Sequence, residues 1–582
     1  MCGIAGIVGK VCDRGKVEAM LRSLHHRGPD AQGVYTAEGG QAMLGSTRLS
    51  ILDLSEAGSM PMVSVDGRYV ISYNGEIYNY QELKEELADY PFKTATDTEV
   101  VLAAFQRWGE RCLDHFLGMF AFLLWDTKEQ RLFVARDRFG VKPLYYANVG
   151  RTLYLASEIK ALHAAGVRRT PDHGMWATYF THGHYQCDHR TFWEGVHSLP
   201  AGHMLWWQKG KITCRCWYDL ADRIAHTPDE RPVAVIKEEY LHLLKENVRL
   251  RFRSDVPVGI NVSGGLDSSV LLGIVDAVSK HQEDVQAFTY VTGDARYDED
   301  LWVEKMLEGK RHPWFRCSLR AEDVPTWAVE VQRIQDEPFG GIPTLAYAKV
   351  FAMARMQGTK VLLDGQGMDE QWAGYDYYRK ALTGTAPGDI AVIQGTKQPL
   401  TRPACLTEEF CAQVLAPVYR EPFQDALQNV QYRDITSTKL PRALRFSDRV
   451  SMQSSTELRE PFLDHRLVEL AFAQPQDRKI RGNVGKWLLR EIAQDLLPAA
   501  VIDAPKRPLQ TPQREWLRGE LREWAEEMIQ VALAQQPGDW LKRENVQQEW
   551  KMYVDGESDN SFYVWQWVNL GLMVGSSYSS QL

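Results

Sequence analysis

The 582-residue sequence predicts two domains of different fold class, because its hydrophobic pattern changes near residue 205. Residues 1–205 carry short runs of β-branched and aromatic residues between Gly, Asn and Asp, which predicts a layered α+β domain dominated by antiparallel sheet. Residues 233–582 begin with strands that alternate with longer helices, which predicts an α/β domain with a parallel sheet and a mostly helical C-terminal part. A polar stretch between them places the linker at 206–232.

Each element is predicted from its own periodicity. In the first domain, alternation and turn residues predict strands at 3–8, 41–44, 69–73, 120–125, 132–135 and 153–156, with helices at 17–25 and 80–89. In the second domain, the pattern predicts helices at 233–250, 268–278 and 344–356 and strands at 256–262, 286–291 and 360–363. Because ligands of parallel sheets bind at the carboxyl ends of the strands, we expect a site in the loops that follow these strands.

The composition excludes several classes of protein. A net charge of −9 argues against a basic nucleic-acid binder. No apolar run of about 20 residues exists, so we expect no membrane span, and the first ten residues lack the pattern of a signal peptide. The nine cysteines are scattered without CxxC spacing, which favours a reducing cytoplasm and gives no zinc site. We therefore expect a cytoplasmic protein without nucleic-acid or membrane partners.

Cys2 follows Met1 and becomes the first residue if Met1 is removed. It would then combine a thiol nucleophile with a free α-amine, whose reference pKa of ~7.7–8.0 lets it act as a base at neutral pH. Taken alone, a cysteine here is more often a small core residue near a terminus. The segments that follow decide between the two interpretations.

Five further segments follow the opening CGIAGIVG in a fixed order. They are HHRGPDAQG at 25–33, STRLSILDLSEAG at 46–58, YNGEIYN at 73–79, TDTEV at 96–100 and ARDRFGVKPLYY at 135–146. With them the chain resembles the class II, N-terminal-nucleophile (Ntn) glutamine amidotransferases, and among these the glutamine-hydrolysing asparagine synthetase B family. The resemblance implies that the first domain has an Ntn-type fold and frees ammonia from glutamine.

The resemblance assigns roles in this glutaminase domain. Cys2 would be the nucleophile, and the Asn74 side-chain amide and the Gly75 backbone N–H would form the oxyanion hole. Arg48 would bind the glutamine carboxylate and Asp97 its amine. The rest of the glutamine pocket would be Leu49, Ser50, Ile51, Leu52 and Glu76. Without the resemblance, Asn-Gly would indicate a hairpin turn, and each charged residue would be interpreted as solvated surface.

The segment SGGLDSS at 263–269 follows an apolar strand and opens a helix. Glycines let the backbone approach a phosphate, small hydroxyls donate hydrogen bonds, and a helix N-terminus favours anions. The segment is not a Walker A loop, because GxxxxGK[ST] is absent. It resembles the PP-loop of enzymes that cleave ATP to AMP and pyrophosphate; the alternative is a plain strand–turn–helix connection.

A second acidic segment, DGQGMDE at 364–370, follows the predicted strand 360–363. The resemblance implies that Asp267 and Asp369 hold Mg²⁺ and pyrophosphate, and that Lys486 faces the reacting phosphate and carboxylate. It continues through DEPFGG at 336–341, SDRVSMQSSTELREPFLDHRLVE at 447–469 and VGKWLLRE at 484–491. The implied ATP-binding residues are Val262, Ser263, Gly264, Gly265, Asp267, Ser268, Tyr290, Asp364 and Gly365.

Two departures from the family pattern concern the acceptor. Gln366 stands where asparagine synthetases usually have a glutamate that assists proton removal from ammonia, and a neutral amide cannot be a general base. The stretch 504–520 also lacks the Gly-Phe that relatives often carry. Either another group takes the proton or the acceptor is not aspartate, so we expect slow or absent asparagine formation and no rescue by Gln366→Glu.

The leading hypothesis is a carbon–nitrogen ligase that uses glutamine, ATP with Mg²⁺, and a carboxylate. Aspartate is the first acceptor by family frequency; the alternative is a uronic acid sugar or a secondary-metabolite carboxylate. A second class, synthetases that close their own substrate, lacks the N-terminal nucleophile, so Cys2 argues against it. A third, non-catalytic class is opposed by Asn74, Asp97, Asp267 and Asp369. Homodimers occur among relatives of this type.

Overall fold

A computed structural model describes residues 2–10, 12–224, 229–279, 284–294, 296–382, 400–504 and 511–575, to which every structural statement refers. The N-terminal part contains strands β1 (Cys2–Val8), β2 (Ala31–Thr36), β3 (Ala42–Arg48), β4 (Met62–Val63), β5 (Tyr69–Ile77), β6 (Gly118–Asp126), β7 (Arg131–Arg136), β8 (Tyr145–Val149), β9 (Thr152–Ala156), β10 (Val196–Ser198), β11 (His203–Gln208) and β12 (Lys211–Cys216). Its helices are α1 (Arg14–Ser23), α2 (Tyr80–Glu86), α3 (Asp97–Trp108), α4 (Cys112–His115), α5 (Ile159–Ala164), α6 (His173–His182) and α7 (Leu220–Arg223).

These strands form two antiparallel sheets that pack face to face. One has the order β10-β8-β9-β1-β3-β2 and the other β12-β11-β7-β6-β5-β4. Apolar side chains from both sheets, among them Ile4, Leu44, Val70 and Leu123, fill the layer between them. This arrangement confirms the layered α+β domain, and it places the start of β1 close to β5.

The C-terminal part is an α/β domain. Its elements are α8 (Val233–Arg251), β13 (Val258–Asn261), α9 (Leu266–Val278), β14 (Ala287–Tyr290), α10 (Asp300–Leu307), β15 (Trp314–Cys317), α11 (Val324–Gln335), α12 (Ile342–Met356), β16 (Val361–Leu363), α13 (Met368–Gln371), α14 (Tyr378–Ala381), α15 (Glu408–Cys411), α16 (Ala426–Thr436), α17 (Lys439–Gln453), β17 (Glu457–Arg459), α18 (His465–Phe472), α19 (Gln476–Lys479), β18 (Ile480–Arg481), β19 (Val484–Gly485), α20 (Trp487–Ala493), α21 (Ala499–Ile502), α22 (Gln513–Arg518), α23 (Arg522–Gln535), α24 (Arg543–Val554) and α25 (Phe562–Val574).

The central sheet of this domain is parallel and has the order β15-β14-β13-β16-β17. The chain runs outward from β13 in one direction and from β16 in the other, so the order reverses between these two strands. Ligands of open parallel sheets bind at the carboxyl ends on either side of such a reversal. The loops that begin at Val262 and Asp364 occupy this position and confirm the predicted parallel-sheet domain.

Several elements differ from the sequence-based expectation. Helix α3 was not predicted, because Val100 to Phe105 form a short continuous apolar run, which periodicity alone does not distinguish from a buried strand. Strand β12 and the second half of β11 lie within the predicted linker, 206–232, and continue the second sheet to Cys216. Residues 225–228 of that linker lie outside the described residues, and the division into domains stays a prediction. No described helix is both long and apolar enough to cross a bilayer.

Candidate active sites

Cys2 lies at the start of β1, opposite Arg48 of β3, and only 5% of it is exposed. Its backbone nitrogen donates a hydrogen bond to Oδ1 of Asn74 in β5 at 3.0 Å. Burial raises the pKa of the Cys2 thiol, whereas a backbone hydrogen bond from Leu49 and the charge of Arg48 lower it. The nitrogen held by Asn74 is the one that would become the free α-amine after removal of Met1.

Asn74 and Gly75 provide the features that an oxyanion hole requires. Asn74 is fully buried, and its Nδ2 has no hydrogen-bond partner among the described residues. A buried donor without a partner costs roughly 1–3 kcal/mol, and a developing negative charge would satisfy it. At Gly75 a Cβ would lie 2.3 Å from the Met119 carbonyl oxygen, so only glycine fits this close approach.

Arg48 is buried and holds the loop that follows β3. Its Nη1 donates to the Ser55 carbonyl at 2.7 Å, and its Nη2 donates to the carbonyls of Leu52, at 3.2 Å, and Asp53. Leu49, Ile51 and Leu52 of this loop are buried, and the Ser50 backbone N–H donates to Asp30 at 2.8 Å. The guanidinium contacts therefore join Arg48 to the predicted pocket segment, while its role toward a glutamine carboxylate stays a prediction.

Asp97 and Glu76 bring two buried carboxyl groups to β5. Oδ2 of Asp97 accepts hydrogen bonds from the Tyr73 hydroxyl at 2.6 Å and the Ile77 backbone N–H at 2.9 Å. Oε2 of Glu76 lies 3.4 Å from Nη2 of Arg459 in β17. Burial raises the pKa of both carboxyl groups. Asp97, Glu76, Asn74 and Cys2 thus belong to one region, which is continuous with the second domain through Arg459.

The segment 263–269 forms a tight phosphate-type loop between β13 and α9. Gly264 has a φ of +83°, and a Cβ there would lie 2.6 Å from the Glu299 carbonyl oxygen. The Ser268 hydroxyl accepts from the Ser263 backbone N–H at 3.2 Å and donates to the Gly265 carbonyl at 3.1 Å. Helix α9 has 13 residues and begins at Leu266, within this loop. Its first backbone N–H groups therefore face the loop, and the helix dipole favours an anion there.

Lys486 joins the two predicted magnesium ligands. Its Nζ lies 2.5 and 2.6 Å from the two carboxylate oxygens of Asp267 and 2.6 Å from Oδ1 of Asp369. Burial lowers the pKa of Lys486, but the two carboxylates outweigh this and leave it raised. A Cβ on Gly374 would lie 1.9 Å from Oδ1 of Asp369 and 2.2 Å from Cε of Lys486. Glycine at 374 therefore leaves the space in which this cluster assembles.

Asp364 and Gly365 lie at the carboxyl end of β16. Oδ1 of Asp364 accepts from the Gly365 backbone N–H at 2.8 Å and from Nδ2 of Asn261 at 3.3 Å, and the Tyr347 hydroxyl donates to Oδ2. Burial raises the pKa of Asp364. Val262 is buried beneath the loop, and the Tyr290 hydroxyl has no partner among the described residues.

Two cavities open around these residues. The larger, of about 680 Å³, is lined by the 263–268 loop, Asp369 and Lys486. The second, of about 480 Å³, contains Tyr290 and Tyr347. The two cavities share Ser263, Glu299, Asp364 and Gln366 in their walls. Together they have room for a nucleotide with its phosphates and for a further small molecule.

The sequence did not assign roles to several residues that the fold brings to the sites. Arg27 lies within HHRGPDAQG; it donates to the Cys2 carbonyl at 3.2 Å and to Asp448 of the second domain at 2.8 Å. Gly374 lies within the aromatic segment WAGYDYY, where a lone glycine was the available signal. Tyr347 of α12 and Asn261 of β13 contact Asp364 only because the fold brings both elements to the carboxyl end of β16, so sequence spacing gave no signal for them.

Comparison with known proteins finds family matches for both parts of the chain. Residues 1–218 match the glutamine amidotransferase domain model, and residues 239–576 match the asparagine synthase model. Asparagine synthetase [glutamine-hydrolyzing] 1 of Bacillus subtilis is 28% identical, with 97% of this chain and 95% of the relative covered. A putative asparagine synthetase of Mycobacterium tuberculosis is 30% identical, with 90% of each covered. Amidase chry2 of Gibberella zeae is 28% identical, with 90% of this chain and 89% of the relative covered.

The folds and the family matches define a glutamine-dependent carbon–nitrogen ligase, in which a glutamine amidotransferase domain precedes an asparagine synthase domain. The second family model covers more than half of the chain, and the relatives cover nearly all of it. The chain belongs to the asparagine synthase family.

Proposed function

We propose that the chain hydrolyses glutamine at Cys2 and transfers the ammonia to a carboxylate that it has activated with ATP as an acyl-adenylate, with release of AMP and pyrophosphate. The observation that carries this proposal is the convergence of Asp267, Asp369 and Lys486 at the 263–269 loop. Two carboxylates and one ammonium at a phosphate-type loop are suited to the charges of a triphosphate and its metal ion.

In the glutaminase half, the α-amine of Cys2 takes the thiol proton after Met1 is removed, and the thiolate attacks the glutamine amide carbon. Asn74 Nδ2 and the Gly75 N–H stabilise the oxyanion that forms there. Ammonia leaves with the returned proton, and water hydrolyses the thioester. Arg48 exchanges its contacts with the loop carbonyls for the glutamine carboxylate, while Asp97 binds the amine.

In the synthetase half, the donor set fits Mg²⁺. Asp267 and Asp369 already place carboxylate oxygens around one cation, Nζ of Lys486, and Mg²⁺ commonly takes one or two carboxylates plus substrate phosphates. Among the described residues no group of three acidic, histidine or cysteine side chains could hold a metal ion by itself. When bound, Mg²⁺ would neutralise charge on the β- and γ-phosphates.

The remaining residues bind the nucleotide and the acceptor. The N–H groups of Gly264 and Gly265 and the hydroxyls of Ser263 and Ser268 face the phosphates at the loop. Val262, Tyr290, Asp364 and Gly365 form the adenosine side, which opens into the second cavity. Lys486 stabilises charge on the phosphate oxygens while the acceptor carboxylate attacks the α-phosphorus and pyrophosphate leaves.

Aspartate is the first acceptor to test, because two of the three relatives compared above are named asparagine synthetases. The second candidate is a uronic acid sugar or another small carboxylate. It is favoured by Gln366, which lines both cavities in place of an acidic residue, and by a relative that is named an amidase.

A pyrophosphate-release screen tests the proposal. Purified chain, ATP, Mg²⁺ and glutamine are combined with aspartate, glucuronate, galacturonate and a panel of other carboxylates. We expect one of them to support stoichiometric AMP and pyrophosphate formation together with a new amide. ADP and inorganic phosphate as products would refute the acyl-adenylate chemistry.

A further inference from the structure

A small cavity lies between the two domains, with a volume of about 10 Å³. That volume holds about one water-sized molecule. The glutaminase domain contributes Tyr78 and Met119 to its wall, and the synthetase domain contributes Arg251 of α8 and Glu460, which directly follows β17. Ammonia is close to water in size, so the cavity has room for one ammonia molecule.

The wall of this cavity carries buried polar atoms without partners. Both carboxyl oxygens of Glu460, Nε and Nη1 of Arg251 and the Tyr78 hydroxyl have no hydrogen-bond partner among the described residues. Nη1 of Arg251 lies 3.9 Å from Oδ2 of Asp464, too far for a hydrogen bond. Each unpaired buried polar group costs roughly 1–3 kcal/mol. A small molecule with both a lone pair and N–H or O–H donors would satisfy these groups.

Glu460 also directly follows a residue that contacts both sites. Arg459, the preceding residue, contacts Glu76 of the glutaminase site at 3.4 Å, and its carbonyl accepts from the Asp364 backbone N–H at 3.0 Å. The Gln366 backbone N–H and the Asp364 carboxyl are close enough to Glu460 to shift its pKa. The Glu460 carboxyl group therefore lies between the intersite cavity and the loop that lines the synthetase cavity.

Four other carboxyl groups near Gln366 already have ion-pair or hydrogen-bond partners. Asp267 and Asp369 share the Lys486 ammonium. Asp364 accepts from the Tyr347 hydroxyl, and the Gln366 side-chain amide also hydrogen-bonds to it.

Glu370 accepts a hydrogen bond from the Tyr375 hydroxyl at 2.7 Å. In contrast to these four carboxyl groups, Glu460 has no side-chain partner among the described residues, and the backbone N–H of Gln366 is the donor that approaches it.

We propose that Glu460 accepts the proton that ammonia loses when the amide forms, the task that Gln366 cannot perform. The inference rests on the proposed acyl-adenylate chemistry. The ammonia lone pair forms the new C–N bond, and the carbonyl π pair moves to oxygen. The positively charged nitrogen then transfers one proton to the Glu460 carboxylate. The carbonyl re-forms as the C–O bond to phosphate breaks, and AMP leaves with that electron pair.

The surroundings of Glu460 set the pH at which it can act. Burial and the Asp364 carboxyl raise its pKa, whereas Lys142, the Gln366 N–H and Arg251 lower it. The other titratable groups facing the cavity are Tyr78, Asp137, Arg138, Asp464 and His465. Because a proton acceptor must be ionised, amide formation at a fixed concentration of unprotonated ammonia should rise with pH as Glu460 loses its proton.

The test compares Glu460→Gln with a matched variant, Glu469→Gln. Glu469 is a partly buried carboxyl group in α18 that also meets the other domain, where it accepts from the Tyr218 hydroxyl at 3.0 Å. The probes are glutamine, ammonium chloride and the carboxylate that supports pyrophosphate release by the unaltered chain. Three rates are measured: glutamine hydrolysis, carboxylate-dependent ATP–pyrophosphate exchange, and amide formation from ammonium chloride.

We expect Glu460→Gln to lower amide formation by about 10²–10⁴-fold, the usual worth of a general base. Glutamine hydrolysis and exchange should stay within about twofold, because neither needs this proton transfer. Glu469→Gln should leave all three rates near those of the unaltered chain. The double variant Glu460→Gln/Gln366→Glu should regain at least about tenfold in amide formation, since it returns a carboxylate to the neighbouring position. The rise with pH should be absent from Glu460→Gln.

Unchanged amide formation in Glu460→Gln would overturn the inference, and so would an equal loss of exchange and amide formation, which marks a merely structural role. Absence of pyrophosphate release by the unaltered chain with every carboxylate would instead refute the proposed function itself. The two failures are therefore distinguishable.

Discussion

The two candidate sites hold their polar groups in opposite ways. In the glutaminase domain, Arg48 donates to backbone carbonyls, Asp97 accepts from Tyr73 and Ile77, and Asn74 holds the Cys2 nitrogen. In the synthetase domain, Lys486 pairs with two carboxylates beside a cavity of about 680 Å³. In the first site, each of these groups contacts neighbouring backbone or side-chain groups of the same domain. In the second, the charges pair with one another, and a charged substrate can replace these partners.

This difference has a consequence for mutational effects. A change at Cys2, Asn74 or Asp97 should remove one step and leave the synthetase intact, because the partners of these groups lie within the glutaminase domain. A change in the synthetase cluster should leave glutamine hydrolysis intact but remove ATP cleavage, since Asp267, Asp369 and Lys486 depend on one another.

The largest expected effect is that of Cys2→Ala. Without the thiol there is no covalent intermediate, so glutamine hydrolysis should fall by more than about 10⁴-fold. Amide formation from ammonium chloride should stay within about twofold, which separates the two sites. Cys12→Ala, whose thiol donates to the Ile7 carbonyl in the same domain, is the control. Glutaminase activity that persists in Cys2→Ala would refute the nucleophile assignment.

Asp369→Asn should have the next largest effect and should act on the other site. It removes one of the two charges opposite Lys486, so pyrophosphate release should fall by about 10²–10⁴-fold, within the range expected for losing electrostatic stabilisation. Glutamine hydrolysis should be unchanged. Asp495→Asn, at an exposed ion pair with Lys237, should change neither rate. Normal pyrophosphate release in Asp369→Asn would show that this cluster does not bind the nucleotide.

Substitutions of Asn74 distinguish two roles of its side chain: holding the Cys2 nitrogen and stabilising the oxyanion. Asn74→Asp keeps an oxygen to accept from the Cys2 nitrogen but loses the uncommitted Nδ2 donor. We expect kcat for glutamine to fall by about 10²–10³-fold, the usual loss for one oxyanion-hole donor. Asn74→Ala, which loses both groups, should fall further. Equal kcat in Asn74→Asp and the unaltered chain would exclude the amide as an oxyanion donor.

The smallest effect should come from Gly374→Ala. The added Cβ would crowd Asp369 and Lys486, and overpacking of this kind costs about 1–3 kcal/mol, or roughly 5- to 150-fold in pyrophosphate release. Gly358→Ala, where a Cβ meets no atom within 4 Å but φ is +80°, controls for backbone strain alone. If pyrophosphate release falls to the same extent in both variants, crowding of Asp369 and Lys486 does not explain the loss.

The sequence predicted the site loops better than the contacts between them. The SGGLDSS and DGQGMDE loops follow buried strands, as expected, because strand endings and glycines are local signals. Helix α3, which carries Asp97, was missed because its central six residues are all apolar, a pattern that fits a buried strand as well as a buried helix.

Glu460 shows what the sequence could not supply. It lies in the segment 447–469 that carried the family resemblance, yet no role was assigned to it. Its position beside Gln366 depends on the parallel pairing of β17 with β16, in which Val361 lies opposite Glu457, 96 residues further along the chain. The lack of partners for its carboxyl group becomes visible only when the two domains are packed together.

Isotope transfer between the sites tests the account most directly. The chain is supplied with glutamine labelled with ¹⁵N at the amide, ATP, the accepted carboxylate and an excess of unlabelled ammonium chloride. If ammonia passes from Cys2 to the acyl-adenylate through the space between the domains, the product should retain nearly all of the label. Dilution of the label to the level of the free ammonium pool would contradict a direct passage between the two sites.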